Sequence, residues 1–202
     1  FTSSNGRYSF QPLLPINASN GIKVTALTPA ITFTEDDILP GSFQKQYDGA
    51  DERRAVNISL IWREADPISI GIQRTVSIRY STTASDAPVI QFDMTDFCTT
   101  AAHATIFGKY ELARRKFSTH VIAFATPLLT TSLIPTQIIK IERQRISSRG
   151  DNRSEIEWYQ VLNVKHSSSG ITTIQAAHFP VDGSDIAKIS NEVVNGTFQV
   201  IS

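Results

Sequence analysis

Between Val56 and Met94, apolar and polar residues alternate in three successive runs, and this period of two constrains the fold more than any other feature of the chain. Val56, Ile58, Leu60 and Trp62 fall on one side and Asn57, Ser59 and Arg63 on the other; Val76, Ile78 and Tyr80 oppose Thr75, Ser77 and Arg79; Ile90, Phe92 and Met94 oppose Gln91 and Asp93. Side chains that repeat every two residues belong to a strand with one buried face. The three runs are therefore expected as half-buried antiparallel strands, joined by Asp66-Pro67 and by the loop from Ser81 to Pro88 into a meander.

The pattern then changes. From about residue 96 to 116 the chain is alanine-rich and breaker-poor, and it predicts one long helix with Asp96 or Thr99 as its cap. Phe97, Ala101, Ala104, Gly108 and Leu112 form one stripe, and Ala102, Ile106, Tyr110 and Ala113 lie nearly opposite. A helix apolar on both sides packs on two surfaces. One side meets the sheet; the other meets a loop of the same chain or a neighbouring subunit. Ala101, Ala104, Gly108 and Leu112 are the interface candidates, the first three because their small side chains permit close approach.

Further strands are predicted at Ile31–Thr34, Thr119–Ala125, Gln137–Gln144, Ile156–Lys165, Ile171–His178 and Thr197–Ile201, with hairpins through Ser147–Asn152 and Ser167–Gly170 and a short helix in Asp182–Glu192. Arg7–Phe10 is a further short strand. Prolines and glycines punctuate residues 1–50, read as a strand-and-turn arm or the end of a preceding module; residues 51–202 are read as one β-rich module with a central helix. The class is α+β and β-rich, an antiparallel sheet or barrel with one long packed helix.

With 202 residues the chain is long enough to build an adequate core without staples, and its net charge of +0 supplies no basic field for specific nucleic-acid binding. Cys98 has no cysteine to pair with and is expected as a small buried residue. No apolar run reaches the length of a membrane span. The chain opens on Phe1 and its only methionine is Met94, which reads as a fragment or processed product.

Candidate chemistry is sparse. Asp93 and Asp96 could share a proton or a cation, but a strand exit and a helix cap explain them as well. Glu35-Asp36-Asp37 lacks the spacing of a calcium loop and reads as a solvated helical turn. His103, His120, His166 and His178 show no metal-ligand spacing, so neither a metal nor a cofactor is implied. Neither a nucleophile elbow nor a phosphate loop occurs. Arg143, Arg145, Arg149 and Arg153 read as an exposed hairpin balanced by acids, and Arg149-Gly150-Asp151 as an ordinary turn. The triplets at Asn17, Asn57, Asn152 and Asn195 match a glycosylation pattern that serine- and threonine-rich chains reach by chance. An enzyme is not expected. If Trp62, Trp158 and Tyr159 were exposed, they would form the platform of a carbohydrate- or cell-surface-binding module.

The run Ile31-Thr32-Phe33-Thr34-Glu35-Asp36-Asp37-Ile38 with Gly41-Ser42-Phe43, followed by Arg54–Trp62, resembles the module entry of phage tail-tip and baseplate hub proteins. The helix ending Leu112-Ala113-Arg114-Arg115, the strand Val121–Ala125, Leu133–Ile141, Trp158–Val164 and Ile171–Ala176 are similar to the family's next segments, so the resemblance covers roughly residues 31–178. The family usually has Pro-Gly-Asp where this chain has Pro135-Thr136-Gln137, so a differently shaped turn is expected there. The resemblance implies a structural part of the virion, assembled in the cytoplasm of a bacterial host. In it, β-barrel modules of a homotrimer ring the distal end of the tail tube and contact the tube protein and distal spike or fibre proteins.

Overall fold

The alternating runs become strands whose buried phase is the apolar one: Ile58, Leu60, Val76 and Ile78 are each no more than 2% exposed. The computed structural model describes residues 2–4, 7–9, 12–19, 21–64, 71–127, 133–146 and 152–201. In chain order they form β1 (Thr2–Ser4), β2 (Arg7–Ser9), β3 (Ile31–Thr34), a 3-10 turn (Glu35–Asp37), β4 (Gln44–Tyr47), α1 (Ala50–Arg53), β5 (Asn57–Arg63), β6 (Gln73–Tyr80) and β7 (Val89–Asp93). There follow α2 (Ala101–Phe117), β8 (His120–Pro127), β9 (Ile138–Ile146), β10 (Asn152–His166), β11 (Ile171–His178), α3 (Lys188–Asn195) and β12 (Phe198–Ile201). The fold is α+β and β-rich.

Two compact units divide the chain, Phe1–Asp48 with Phe117–Ser190 and Gly49–Lys116 with Asn191–Ser202. The sequence pattern places a division between residues 50 and 51. Residues before it are not set apart, however: β3 and β4 form the two edges of a six-stranded sheet, β3-β9-β10-β11-β8-β4, whose other strands come from the later segment. Pairing is antiparallel except between β3 and β9. Neighbouring strands lie about 4.8 Å apart, so β3 and β8, four steps apart, would be separated by about 19 Å in a flat sheet. The rings of Phe33 on β3 and Phe124 on β8 instead meet edge to face at 5.1 Å between centroids. The sheet therefore curls around Phe33, Phe124, Ile122, Ile139, Ile141, Tyr159 and Ile174. It stays open, because β3 and β4 remain its two edges, and the barrel alternative is not realised.

In the second unit, β12-β6-β5-β7 form an open four-stranded sheet. The expected meander does not form: β7 passes β6 and pairs with β5 in parallel, Asn57 opposite Val89 and Leu60 opposite Phe92. The buried side chain of Asn57, predicted to face outward, donates through Nδ2 to the carbonyls of Ser85 and Ala87, both at 3.1 Å, and so secures the loop that leads into β7. The Asp66-Pro67 connection lies outside the described residues. The helix begins at Ala101, five residues later than predicted, because Cys98 N donates to Met94 O (2.8 Å) in a preceding turn and the Thr100 hydroxyl accepts from His103 N at 3.3 Å. Neither Asp96 nor Thr99 is the cap.

The third helix also starts late, at Lys188, because Asp182 Oδ1 accepts from the amides of Ser184 (2.8 Å) and Ile186 (3.0 Å) and holds residues 182–186 as a loop. At the turn before β9, Thr136 stands at φ 73°, where a β-branched residue is strained and glycine is not. Its neighbours hold it there: Thr136 N donates to Val161 O at 2.8 Å, and Gln137 Oε1 accepts from Ile134 N at 3.0 Å. Thr136→Gly removes the strain but loosens the unfolded chain; a net gain of about 0.5–1 kcal/mol is expected, read as a higher urea midpoint at constant slope.

Candidate functional site

Strand register brings together polar residues that the sequence scatters. Tyr47 on β4 pairs with His120 on β8, and Tyr159 on β10 pairs with both His178 on β11 and Ile139 on β9. Ala177 pairs with Val121, so the next residues, His178 and His120, face each other across adjacent strands. Their rings stack at 4.4 Å between centroids and 17° between planes. The result is a transverse row, Tyr47-His120-His178-Tyr159, on the concave face of the curled sheet. Curling also brings Lys45 Nζ to Glu157, at 2.9 Å from Oε1 and 2.8 Å from Oε2, with Glu155 at 3.5 Å.

The proton positions in this cluster follow from one donor. The Tyr159 hydroxyl donates to Glu157 Oε2, so the hydrogen between Tyr159 and His120 Nε2 (3.1 Å) belongs to the imidazole. His120 Nδ1 is then an acceptor and takes the Thr119 hydroxyl proton at 2.9 Å. Thr119 Oγ1 in turn accepts from His178 Nδ1 at 3.0 Å. The chain runs from His178 through Thr119, His120 and Tyr159 to Glu157, and Lys45 neutralises its end.

This arrangement requires neutral imidazoles, and the surroundings enforce them. Burial, reinforced by the Lys45 cation, pushes His120 down to about 4 against the pull of Glu157. Burial and the neighbouring His120 push His178 down to about 4. Burial would raise Glu157, but hydrogen bonds from Lys45 and Tyr159 outweigh it and hold the carboxyl below its usual range. Lys45 is raised, its own burial being overcome by Glu157 and Glu155. Burial and Glu157 raise the Tyr159 phenol.

Beside the cluster opens a cleft of about 200 Å³, lined by Phe43, Lys45, Ile141, Arg143, Glu155 and Glu157. Arg143 grips Glu35 with two bonds of 2.8 and 3.1 Å and stacks over Phe43 at 4.1 Å. Cations and carboxylates cancel across this cleft, and the acid–base groups bind one another. Together they close one end of the core with matched polar groups. Lys45→Met leaves the half-buried Glu157 without its cation and is expected to cost about 1–2 kcal/mol in urea unfolding at neutral pH.

Of the residues singled out in the sequence, Ala104, Gly108 and Leu112 pack into their own unit's core with Leu60 and Ile78, whereas Ala101 is exposed. The close approach of Gly108 is to Leu60 and Ile78 of the chain's own sheet. On the other side of the helix Tyr110 and Ala113 are buried, and Ala102 and Ile106 are exposed. Asp93 and Asp96 are exposed, and Asp93 Oδ1 is occupied by the Thr95 amide (3.0 Å) and hydroxyl (2.7 Å). Glu35 is bound to Arg143, and Asp37 Oδ2 accepts from the Thr34 amide and hydroxyl, both at 2.8 Å, so this turn is tied down at both ends. Cys98 is buried, its thiol on Thr100 O at 3.2 Å.

The aromatic platform of the binding-module alternative does not exist: Trp62, Trp158 and Tyr159 are 8%, 5% and 0% exposed. Asn57 is buried within a strand, which removes it as a glycosylation acceptor. The tripeptide Arg149–Asp151 lies outside the described residues, as do the side chains of Arg145, Asn152 and Arg153. No cluster of three metal-ligating side chains occurs among the described residues, and no helix among them is long and apolar enough to cross a membrane.

Sequence reasoning missed the His120–His178 cluster. A signal was present, since both histidines sit on the buried phase of alternating strands, His120 before Ile122 and Phe124 and His178 after Ile174 and Ala176. A histidine in a core phase calls for a polar partner.

No protein-family profile and no curated protein matches this chain. Solved structures do. A chain of the native gene transfer agent (GTA) virion superposes with a TM-score of 0.52 at 15% identity, over 84% of this chain and 36% of that one. A tail protein from Neisseria meningitidis MC58 gives 0.35 at 10% identity, over 85% and 48%. The 43 kDa tail protein of prophage MuSo2 from Shewanella oneidensis gives 0.34 at 10% identity, over 77% and 46%. This chain thus spans about a third of the GTA virion chain and under half of the other two, and it shares the fold of the first.

Proposed function

We propose that the chain is a structural module of the tail of a phage or gene-transfer-agent-like particle. It sits in the hub at the distal end of the tail tube as one of three copies in a ring. The observation that carries this reading is the likeness to the GTA virion chain, which extends over 84% of the residues and so includes both units. The polar cluster suits the role: a module whose concave face is closed by internally matched charges is rigid and offers no reacting group, and the activity is assembly, not catalysis. Its partners are further copies of itself, the tube protein on one side and spike or fibre proteins on the other, in a virion assembled in the host cytoplasm. Of the four interface candidates on α2, Ala101 is the one left exposed to meet a neighbour, and Phe97, on the same stripe, is 81% exposed.

The test is the oligomeric state of the full-length protein by mass photometry, together with gold-labelled antibody on intact particles. Trimers and label at the distal tail end are expected. A monomer at micromolar concentration, with particles that carry no label, overturns the reading.

A further inference from the structure

A second cavity, in the unit built on α2, is not charge-balanced as the cleft described above is. It measures about 270 Å³ and is bordered by Arg54, Arg115, Lys116, Thr82, Thr83 and Leu112. Lys116 is matched by Glu192 at 2.8 Å, and Arg54 approaches Asp51 at 3.6 Å. Arg115 has no carboxylate partner among the described residues. Its Nη2 donates to the Asp51 carbonyl at 2.9 Å, and its Nε is buried without an acceptor.

A buried guanidinium donor left unmatched is costly, and native structures keep such groups where something outside the chain satisfies them. The guanidinium edge presents parallel N–H groups at the spacing of two oxygens on one centre, which is the geometry of a carboxylate or a phosphate. Among the described side chains the charge count agrees: Arg54, Arg115 and Lys116 against Asp51 and Glu192 leave one positive charge. The carbonyl end of α2 opposes an anion here, but the basic side chains of its last turn, Arg114, Arg115 and Lys116, offset it. We propose that this cavity binds an oxyanion, with Arg115 as its anchor, Arg54 and Lys116 as flanking charges and the Thr82 and Thr83 hydroxyls as neutral donors. The inference is independent of the tail reading, because it rests on this cavity alone.

The test follows the arginine Nε–H resonances of the intact, 15N-labelled protein while inorganic phosphate or succinate is added at ionic strength held constant with sodium chloride. The Arg115 signal, assigned by its loss in Arg115→Gln, is expected to move saturably, and the more effective of the two additives identifies the oxyanion class. Arg54→Gln, at an exposed position that leaves the fold intact, is expected to weaken that response by roughly threefold or more through the lost charge. An Arg115 signal that moves with neither additive, or no more than with chloride alone, overturns the proposal. So does an Arg115 response that Arg54→Gln leaves unchanged.

Discussion

Gly108→Leu is expected to destabilise the protein by more than about 3 kcal/mol, the upper end of the cost of overpacking a core. A Cβ built on Gly108 would lie 2.6 Å from Ile78 Cδ1 and 2.7 Å from Leu60 Cδ1, closer than carbon atoms approach, and leucine adds three more carbons along the same direction. Neither neighbour has room to retreat, since Leu60 and Ile78 are 0% and 1% exposed. Gly108→Ala separates two opposing effects. Helix propensity favours alanine by about 1 kcal/mol, while displacement of two methyl groups costs about 1–3 kcal/mol, so a net loss of up to about 2 kcal/mol is expected. Ile78→Val deletes the nearer methyl. In the double variant its own cost should shrink, giving a favourable coupling in a double-mutant cycle measured by urea unfolding. Strictly additive losses would show that the helix does not ride as close to the sheet as the geometry has it.

Acidification from pH 6.5 to 4 is expected to remove on the order of 3 kcal/mol of stability before most carboxylates titrate. His120 and His178 have folded values of about 4, against an ordinary 6.5. In that window the unfolded chain binds protons that the folded one refuses, so stability is complete above pH 6.5 and falls with pH until about 4, where it levels off for these groups. Two protons would give a slope of up to about 2.7 kcal/mol per pH unit, and the partial exposure of His178 and the screening that goes with it reduce this to about half. Burial sets the direction, and the facing groups modulate it: Lys45 opposes a charge on both imidazoles, His120 and Lys188 oppose one on His178, and Glu157 favours it on both. A second fall is expected below pH 4.5, as Glu157, Glu35, Asp37, Asp93 and Asp182, all held below their ordinary values, take up protons. Urea midpoints measured at half-unit intervals check the two limbs. A flat profile from pH 6.5 to 5 would mean that the imidazoles are not held neutral.

The strands were legible because alternation is local. His120–Pro127 alternates buried and less buried residues without a break down to Thr126, as the sequence pattern requires. The hairpin at Ser167–Gly170 was legible too, with Gly170 at φ 77° and Ser167 N bonded to Ile171 O at 2.8 Å. Strand partners were not. The three strands from Val56 to Met94 read as a meander because neighbours in sequence usually pair. The loop from Ser81 to Pro88 carries the chain past β6 instead, and its anchor is a buried asparagine that alternation had assigned to solvent.

By itself, the sequence determined which residues leave water and in what kind of element, because burial repeats every two residues in a strand and every three to four in a helix. Only the tertiary structure decided what those residues meet. Lys45 finds Glu157 across 112 positions and Thr119 finds His178 across 59. Gly108 is needed because of Leu60 and Ile78, and Arg115 is left with an unmatched nitrogen by the way its own unit closes. Register and curl arise from packing between distant segments, and no local period in the sequence encodes them.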